Sequence, residues 1–244
     1  MKAAEESPAD TIVHFAAFVD ANKAFQETGD KNGVCYKVNV LGTQNMANAA
    51  AKFNKHFVHI STAYVFDGNK DGMYVETDAL SPIEWYGETK AMAEQVVQDT
   101  LNSWTILRID QPFRSTPFST KPDSVRKIAQ GLLAGKLYPQ FTDHWFAPTY
   151  LDDLAKVLDW SVEKKPQGIY HATVNEKVSD YEFAQKIQKA LTLPGEVKEG
   201  KLDDYLKTLA RPYQRNTALN SDKLFRESGL KFATLDEALA TLTI

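Results

Sequence analysis

Short apolar runs alternate with longer segments of helical period in the first half of the sequence. The runs predict strands at 11–16, 56–60 and 104–109, and the segments between them predict helices within 31–54 and at 86–101. Strand, helix, strand, helix, strand is the order of a parallel sheet with right-handed crossovers. The sequence therefore predicts an α/β fold with a Rossmann-like parallel sheet.

The pattern of the sequence changes after Pro112. Residues 114–123 are rich in Ser, Thr and Pro, which is typical of a connection without regular structure. The elements predicted beyond it are helices at 123–134, 151–163, 179–191 and 234–242 and a strand at 168–172. The sequence thus divides into a sheet-forming core at 1–112 and a smaller α+β region at 113–244, with parts of 145–172 expected to return to the core.

Three local signals mark helix ends in this second region. Ser179 and Thr234 each stand three residues before a glutamate, which is the spacing of a capping box. Gly229 follows a short helical run and suits a residue that ends a helix. These signals predict helix starts at 179 and 234 and a helix end at 229.

Charge and composition limit the classes of function. Lys and Arg total 28 against 32 Asp and Glu, so the net charge of -4 offers no general footprint for nucleic acid or an anionic membrane. The single cysteine, Cys35, cannot form an internal disulfide, which favours a reducing compartment. The opening residues lack the apolar segment of a signal peptide, and no uninterrupted apolar run is long enough to span a bilayer. We therefore expect a cytoplasmic protein without nucleic-acid or membrane partners.

Tyr86 and Lys90 carry the main chemical signal in the sequence. Their spacing of four places both side chains on one face of the predicted helix. The spacing alone is weak support, because roughly one such pair is expected by chance in a chain of this composition. The helix, however, follows a loop that leaves the strand ending at Ser61 and Thr62. Hydroxyl, phenol and amine are therefore expected to meet at the carboxyl end of a parallel sheet, where ligands of such sheets bind.

This combination of groups suits hydride addition to a ketone. A free phenol has a pKa of about 10, and a neighbouring ammonium favours the ionised form and lowers that pKa. We therefore expect Lys90 to lower the pKa of Tyr86 and make the phenol a usable acid-base group. A hydroxyl from Thr62 or Ser61 would hydrogen-bond a substrate carbonyl oxygen and stabilise the charge that develops there.

Six segments, in the expected order along nearly the whole chain, carry a resemblance to a known family. They are HFAA at 14–17, NVLGTQN at 39–45, STAYVFDG at 61–68, YGETK at 86–90, APTYLDDLA at 147–155 and RP at 211–212. With these segments the sequence resembles the extended short-chain dehydrogenase/reductases, and within them the branch that reduces dTDP-4-dehydrorhamnose. The segment at 61–68 discriminates best, because related sugar-nucleotide epimerases and dehydratases usually read Ser-Ser-x-x-Val-Tyr-Gly there.

The resemblance implies a nicotinamide cofactor, NADPH or NADH, and a nucleotide-linked 4-keto sugar as substrate. It implies that Thr62 positions the carbonyl and Tyr86 donates the proton, while Lys90 lowers the phenol pKa and holds the nicotinamide ribose. The implied cofactor-binding residues are Ala16, Ala17, Asn39, Tyr86 and Lys90, and the implied substrate-binding residues are Ser61, Thr62, Val65, Phe66 and Arg211.

The resemblance also assigns roles to the two parts of the chain. Residues 1–112 would be an incomplete dinucleotide-binding core, and residues 113–244 would mainly bind substrate. The family allows a homodimer, and no metal site is implied. Ala63 stands where this branch commonly has aspartate, which bears on the choice of substrate.

A larger departure from the family pattern lies at the start of the sequence. Family members open with a strand, a glycine-rich turn and a helix that hold the cofactor pyrophosphate, and no Gly-x-x-Gly-x-x-Gly segment occurs in these 244 residues. We therefore expect an incomplete chain that lacks about the first three strands of the family, with a strand at 12–13 whose edge is uncovered.

Two alternative functions fit the same sequence. A non-catalytic protein of this fold, similar to the regulatory subunit of methionine adenosyltransferase, is favoured by the missing phosphate loop. A sister sugar-nucleotide epimerase or dehydratase would share the same residues and differ in its product. The histidines, at 14, 56, 59, 144 and 171, lack ligand-like spacing and are expected to be structural.

Overall fold

A computed structural model describes residues 2–118 and 122–243 of the chain. Its strands are β1 (Thr11–His14), β2 (His56–Thr62), β3 (Trp104–Ile109), β4 (Gln140–Phe141), β5 (Trp145–Phe146), β6 (Gly168–His171), β7 (Val178–Ser179) and β8 (Glu199–Gly200). Its helices are α1 (Lys2–Glu6), α2 (Ala21–Gln26), α3 (Val34–Tyr36), α4 (Gly42–Lys52), α5 (Trp85–Thr100), α6 (Ser124–Leu133), α7 (Leu151–Lys164), α8 (Asp180–Ala190), α9 (Leu202–Leu206), α10 (Asp222–Ser228) and α11 (Leu235–Ala240). A π turn at Lys37–Leu41 joins α3 to α4, and a 3-10 turn at Ala63–Val65 follows β2. None of these helices is both long and apolar enough to cross a bilayer.

Four strands form one parallel sheet in the order β1-β2-β3-β6. Val58 of β2 lies between Val13 of β1 and Thr105 of β3, and the pairing continues to Thr62 beside Ile109. Every residue of β2 is buried, as expected of a central strand in a parallel sheet. The predicted α/β class with a Rossmann-like sheet is therefore confirmed. Among the described residues β1 has β2 as its one partner, which places β1 at an edge of this sheet.

Helices cover both faces of the sheet, because successive strand residues point to opposite sides. On one face α4 and α5 pack against Phe57 and Ile106, and the small side chains of Ala47 and Ala50 let α4 approach closely. On the other face α7 and α10 pack on β2, β3 and β6. The buried residues of that layer include Val58, Leu107, Leu154, Val157, Tyr170 and Leu224.

A separate apolar cluster forms around α6, α8 and α11. Its buried members include Val125, Ile128, Phe183, Ile187, Leu235 and Leu239. Both predicted capping boxes are confirmed, since the hydroxyls of Ser179 and Thr234 accept the amide hydrogen of the glutamate three residues on, at 3.1 and 3.2 Å. Gly229 ends α10 in the left-handed conformation with φ 65°, as predicted.

Several predicted boundaries differ from the structure. The first strand ends at His14 rather than at residue 16, and Phe15 beyond it is 56% exposed. The helix predicted within 31–54 begins at Val34 and contains the π turn. The strand predicted at 56–60 continues to Thr62, and the one predicted at 168–172 ends at His171. The sequence does not indicate α1, α2, α9 or the two-residue strands, because such short segments carry too little periodicity.

Candidate active site

A cleft of about 420 Å³ opens at the carboxyl ends of β2 and β3. Its polar wall includes Thr62, Tyr64, Tyr86, Lys90, Asp110 and Gln111, and its apolar wall includes Phe15, Ala17, Val19, Ile60, Ile109 and Pro112. The cleft thus brings together the three side chains predicted to be catalytic, from the end of β2 and the first turns of α5. Ligands of parallel sheets bind at this edge.

The start of α5 is fixed by the residue before it. Glu84 caps the helix and accepts hydrogen bonds from the backbone amides of Tyr86 (3.0 Å) and Gly87 (2.6 Å). Gly87 lies so close to the turn after β2 that a β-carbon there would clash with the carbonyl oxygen of Tyr64. The glycine therefore lets α5 begin against the strand end that carries Thr62, and the Thr62 hydroxyl faces the phenol of Tyr86.

The charge environment of Tyr86 differs from the prediction. Burial raises the pKa of the Tyr86 phenol to about 12, and the Thr62 hydroxyl opposes this shift in part, so the phenol is protonated at neutral pH. The amine of Lys90 points to β2 instead. Its Nζ donates to the carbonyl oxygen of Ile60 at 2.7 Å and lies 3.3 Å from Nε2 of His59. The pKa of Tyr86 is therefore raised and not lowered as predicted, because burial outweighs any effect of the Lys90 charge on the phenol.

Lys90 itself has a shifted pKa. Burial lowers the pKa of its amine to about 8, and the carboxylate of Glu94 opposes that shift. The lysine is almost fully buried, at 2% exposure, so water contributes little to holding its proton.

Three residues that the sequence analysis missed complete the polar wall of the cleft. Burial raises the pKa of the Asp110 carboxyl to about 8, against hydrogen bonds that include one from Thr217 at 2.7 Å. Gln111 follows it, and the ring of Tyr64 lies edge-on to that of Tyr86, with centroids 5.8 Å apart. All three follow the ends of strands. The rule that places ligands at the carboxyl ends of parallel strands would have found Asp110 and Gln111 if applied to β3 as well as β2.

The residues predicted to bind the cofactor lie at different depths. Ala17 lines the cleft, whereas Ala16 is exposed and does not line it. Asn39 is buried. Its side chain accepts a hydrogen bond from the amide of Phe18 at 2.7 Å and donates to the carbonyl oxygen of Phe18 (3.2 Å) and the hydroxyl of Thr89 (3.0 Å). Asn39 therefore joins the loop after β1 to α5 from behind the cleft.

Of the residues predicted to bind substrate, Ser61 lines the cleft, whereas Val65 and Phe66 do not. The hydroxyl of Ser61 donates to the carboxylate of Glu94 at 2.5 Å, because residues 61 and 62 of a strand face opposite sides. Val65 and Phe66 are fully buried in a cluster that includes Tyr74, since the 3-10 turn folds both side chains inward. The side-chain positions of Val65 and Phe66 thus do not support the predicted substrate contacts, and they hold the turn in place instead.

A second cavity, of about 650 Å³, lies in the smaller region. Its aromatic lining consists of Tyr138, Phe141, Tyr205 and Tyr213. The side chain of Tyr213 hydrogen-bonds that of Tyr64, so the two cavities are neighbours. Arg211, predicted to bind substrate, lies over the ring of Tyr213 at 4.9 Å and donates a hydrogen bond to Asn22 at 2.8 Å. Arg211 therefore lies by the boundary between the two cavities.

The histidine rings all have partners within the chain. His14 lies 3.2 Å from Thr43, His56 lies 2.8 Å from Ser103, and His59 lies 3.3 Å from Lys90. His144 lies 2.6 Å from Asp180, and His171 lies 3.3 Å from Arg108. Among the residues that the structure describes, no group of His, Cys, Asp and Glu side chains is arranged to hold a metal ion.

The fold and the cleft define the class of this protein. A Rossmann-type parallel sheet with a threonine at one strand end, and a tyrosine and a lysine one turn apart on the next helix, is the arrangement of the extended short-chain dehydrogenase/reductases. The chain belongs to the RmlD substrate-binding-domain family, which it matches over residues 1–243.

Known proteins resemble the chain over most of its length. A dTDP-4-dehydrorhamnose reductase of Aggregatibacter actinomycetemcomitans is 31% identical over 245 residues, which cover 96% of this chain and 80% of that protein. The beta subunit of methionine adenosyltransferase 2 from Xenopus tropicalis is 28% identical over 200 residues, which cover 77% of this chain and 57% of that protein. The crystal structure of dTDP-4-dehydrorhamnose reductase from Bacillus anthracis in complex with NADP has a TM-score of 0.85 at 24% identity, covering 98% of this chain and 81% of that one. This last similarity shows the shared fold.

Proposed function

We propose that this protein is an NADPH- or NADH-dependent reductase that converts the 4-keto group of a nucleotide-linked sugar to an alcohol. The observation that carries the proposal is the cleft shared by Thr62, Tyr86 and Lys90 at the carboxyl edge of the sheet. A relative of 31% identity is named dTDP-4-dehydrorhamnose reductase, which favours dTDP-4-dehydrorhamnose as substrate and dTDP-rhamnose as product.

The residues around the cleft fit a nicotinamide cofactor. Tyr86 and Lys90 present a hydroxyl and an amine from one face of α5, a donor set that suits the two hydroxyls of a ribose. Ala17 adds little bulk to the loop after β1, and Ile109 and Pro112 offer an apolar wall for a planar ring. When bound, the reduced cofactor supplies the hydride.

The chain's own residues orient the ketone and supply its proton. Thr62 donates a hydrogen bond to the carbonyl oxygen, which holds the keto group in place and stabilises the negative charge that develops on oxygen. Tyr86 is protonated at neutral pH, because burial raises its pKa to about 12, and it transfers the phenol proton to that oxygen. The ammonium of Lys90 stabilises the phenolate left behind. One hydride on carbon and one proton on oxygen complete the alcohol.

The nucleotide end of the substrate extends, in this proposal, from the cleft into the second cavity. Tyr138, Tyr205 and Tyr213 offer aromatic faces for a base, and Arg211 offers a charge for the diphosphate. Residues 113–244 then act mainly in substrate binding, and residues 1–112 bind the dinucleotide. A cytoplasmic location and a homodimer stay predictions, and light scattering on the purified chain tests the second.

The proposal is tested by adding dTDP-4-dehydrorhamnose to the purified 244-residue chain with NADPH and following the loss of NADPH absorbance. Tyr86→Phe should lower kcat about 10²- to 10⁴-fold, because the proton donor is lost. Tyr181→Phe, on α8, is the matched control and should keep the activity of the parent. NADPH binding without turnover by the parent would favour the non-catalytic alternative, and an epimerised or dehydrated product would favour the sister enzymes.

A further inference from the structure

A buried ion pair lies behind the cleft, where the proposed reaction has no direct use for it. Glu94 of α5 and Arg108 of β3 are 0% and 1% exposed, and hydrogen bonds of 3.0 and 2.7 Å join them. Burying two charges is unfavourable, and an apolar pair of similar volume is often at least as stable. The pair therefore needs an explanation other than stability.

The carboxylate of Glu94 joins the elements that carry the proposed catalytic residues. It accepts a hydrogen bond of 2.5 Å from the hydroxyl of Ser61, the residue next to Thr62 at the end of β2. Its partner Arg108 lies 3.3 Å from Nε2 of His171 in β6. One carboxylate thus connects α5 to β2 and, through Arg108, to β3 and β6.

Glu94 also shares one face of α5 with Tyr86 and Lys90. The three residues follow each other at a spacing of four, so each lies about one turn from the next. An anchor at Glu94 sets the rotation of α5 and its position along the sheet, and these determine where the phenol and the amine point. A misplacement of about 1 Å at the reacting groups costs about 10²-fold in rate.

We infer that Glu94 is a positioning residue, which through Ser61 and Arg108 sets α5 against β2 so that Tyr86 and Lys90 meet Thr62. This inference rests on the proposed reductase function. The charge of Glu94 has a second effect, because it opposes the burial that lowers the pKa of Lys90. Other titratable groups around Lys90 are His59 of β2, His14 of β1 and Tyr86 of α5 itself, and Tyr64 and Asp110 line the same cleft.

The variants are chosen so that folding and positioning can be separated. Glu94→Gln alone leaves the guanidinium of Arg108 buried without its counter-charge, which destabilises the fold. Ser61→Ala removes one hydrogen bond, and the triple variant Ser61→Ala/Glu94→Leu/Arg108→Met replaces the whole cluster by apolar side chains. The matched control, Lys186→Met/Asp236→Asn, removes a surface ion pair between α8 and α11 together with the ion pair of Lys186 and Glu176.

Both cluster variants should keep a cooperative thermal transition, while kcat falls about tenfold in Ser61→Ala and about 10²-fold in the triple variant. The control should keep the kcat of the parent. A triple variant that unfolds cooperatively and retains kcat within about twofold overturns the inference. If the triple variant does not fold, an unchanged kcat in Ser61→Ala overturns it.

A second measurement does not depend on activity. The pKa of Lys90, followed by NMR of the isotope-labelled lysine side chain, should fall in the triple variant and stay unchanged in the control, because the carboxylate that supports the charged amine is gone. If the parent shows no NADPH oxidation, the proposed function fails by itself. In that case a fall in the Lys90 pKa still supports the effect of Glu94 on the Lys90 amine, and an unchanged pKa rejects that effect.

Discussion

The amine of Lys90 donates a hydrogen bond of 2.7 Å to the carbonyl oxygen of Ile60, two residues before Thr62. This bond ties α5 to the end of the central strand and holds the amine beside the cleft. Because burial lowers the pKa of Lys90 to about 8, the amine loses its proton within the pH range of ordinary assays. The charge of the cleft therefore depends on pH in a way that a solvent-exposed lysine would not produce.

Reductase activity should decrease as the pH rises through about 8, because the ammonium that stabilises the phenolate of Tyr86 is then lost. An ordinary lysine would keep its proton up to about pH 10.4. The measurement is the pH profile of kcat/KM. Lys90→Arg keeps the charge and should lack this alkaline limb, although its larger side chain lowers kcat. Asp110→Asn is the control, since that carboxyl titrates in the same range.

The hydroxyl of Thr62 should contribute more to kcat than the shape of the Thr62 side chain does. Thr62→Val keeps the branched side chain and loses the donor to the carbonyl oxygen, so kcat should fall about 10²- to 10³-fold with little change in the KM for NADPH. Thr62→Ser keeps a hydroxyl and should stay within about tenfold of the parent. Steady-state kinetics of the two variants check this, and equal losses in both would contradict a role for the hydroxyl.

Asn39 should act on cofactor binding through the loop after β1. Asn39→Ala removes the side-chain hydrogen bonds to the backbone of Phe18, to Thr89 and to Cys35, so the free energy of unfolding should fall by about 2–3 kcal/mol. The freed loop should also raise the KM for NADPH. Urea unfolding and NADPH titration measure the two effects. Asn45→Ala, at an exposed site on α4, is the control and should change neither.

The sequence predicts both the sheet and the meeting of Thr62, Tyr86 and Lys90 at its edge, and the reason is physical. Central strands of a parallel sheet are buried on both faces, so four of the six residues of Trp104–Ile109 are apolar, and the predicted bounds match β3 residue for residue. Residues that follow such strands meet at one edge whatever their separation along the chain. That rule needs the order of elements and no knowledge of side-chain packing.

The directions in which individual side chains point could not be predicted from the sequence in the same way. Val65 and Phe66 belong to a continuous motif with Thr62, but a 3-10 turn sends both into the core. The amine of Lys90 bonds to a backbone oxygen of β2 rather than acting on Tyr86 alone. Such outcomes depend on which side chains pack against each other in space, and no periodicity in the sequence encodes this packing.

Asp110 should make the protein less stable as the pH rises. Its pKa is about 8 in the folded state and 3.8 ordinarily, so between these values the folded state holds a proton that the unfolded state has released. The contribution of this group to stability therefore falls from about pH 4 to about pH 8 and levels off above it. Asp110→Asn lacks the titration. The free energy of unfolding of the variant relative to the parent, measured in urea at several pH values, should rise through this range.

Acid should destabilise the protein through its buried histidines. Burial lowers the pKa of His14 and His56 to about 4 and that of His171 to about 3, from an ordinary 6.5. Below pH 6.5 the unfolded chain therefore binds protons that the folded state does not, and stability is lost as the pH falls towards 4.

The size of this acid effect follows from the balance of bound protons. Near pH 5 these three histidines bind about three fewer protons in the folded state and Asp110 binds about one more, so these four groups alone should lower the free energy of unfolding by about 2–3 kcal/mol per pH unit. Burial also lowers the pKa of His59 well below its ordinary value, so His59 adds to this loss. Urea unfolding between pH 6.5 and pH 4.5 measures the slope. His56→Gln offers an amide to the partners Ser103 and Thr105 and removes one titrating group, so its slope should be smaller by about 1.4 kcal/mol per pH unit. A slope unchanged by this substitution would show that His56 is protonated in the folded state, since only a histidine that stays neutral on folding contributes to it.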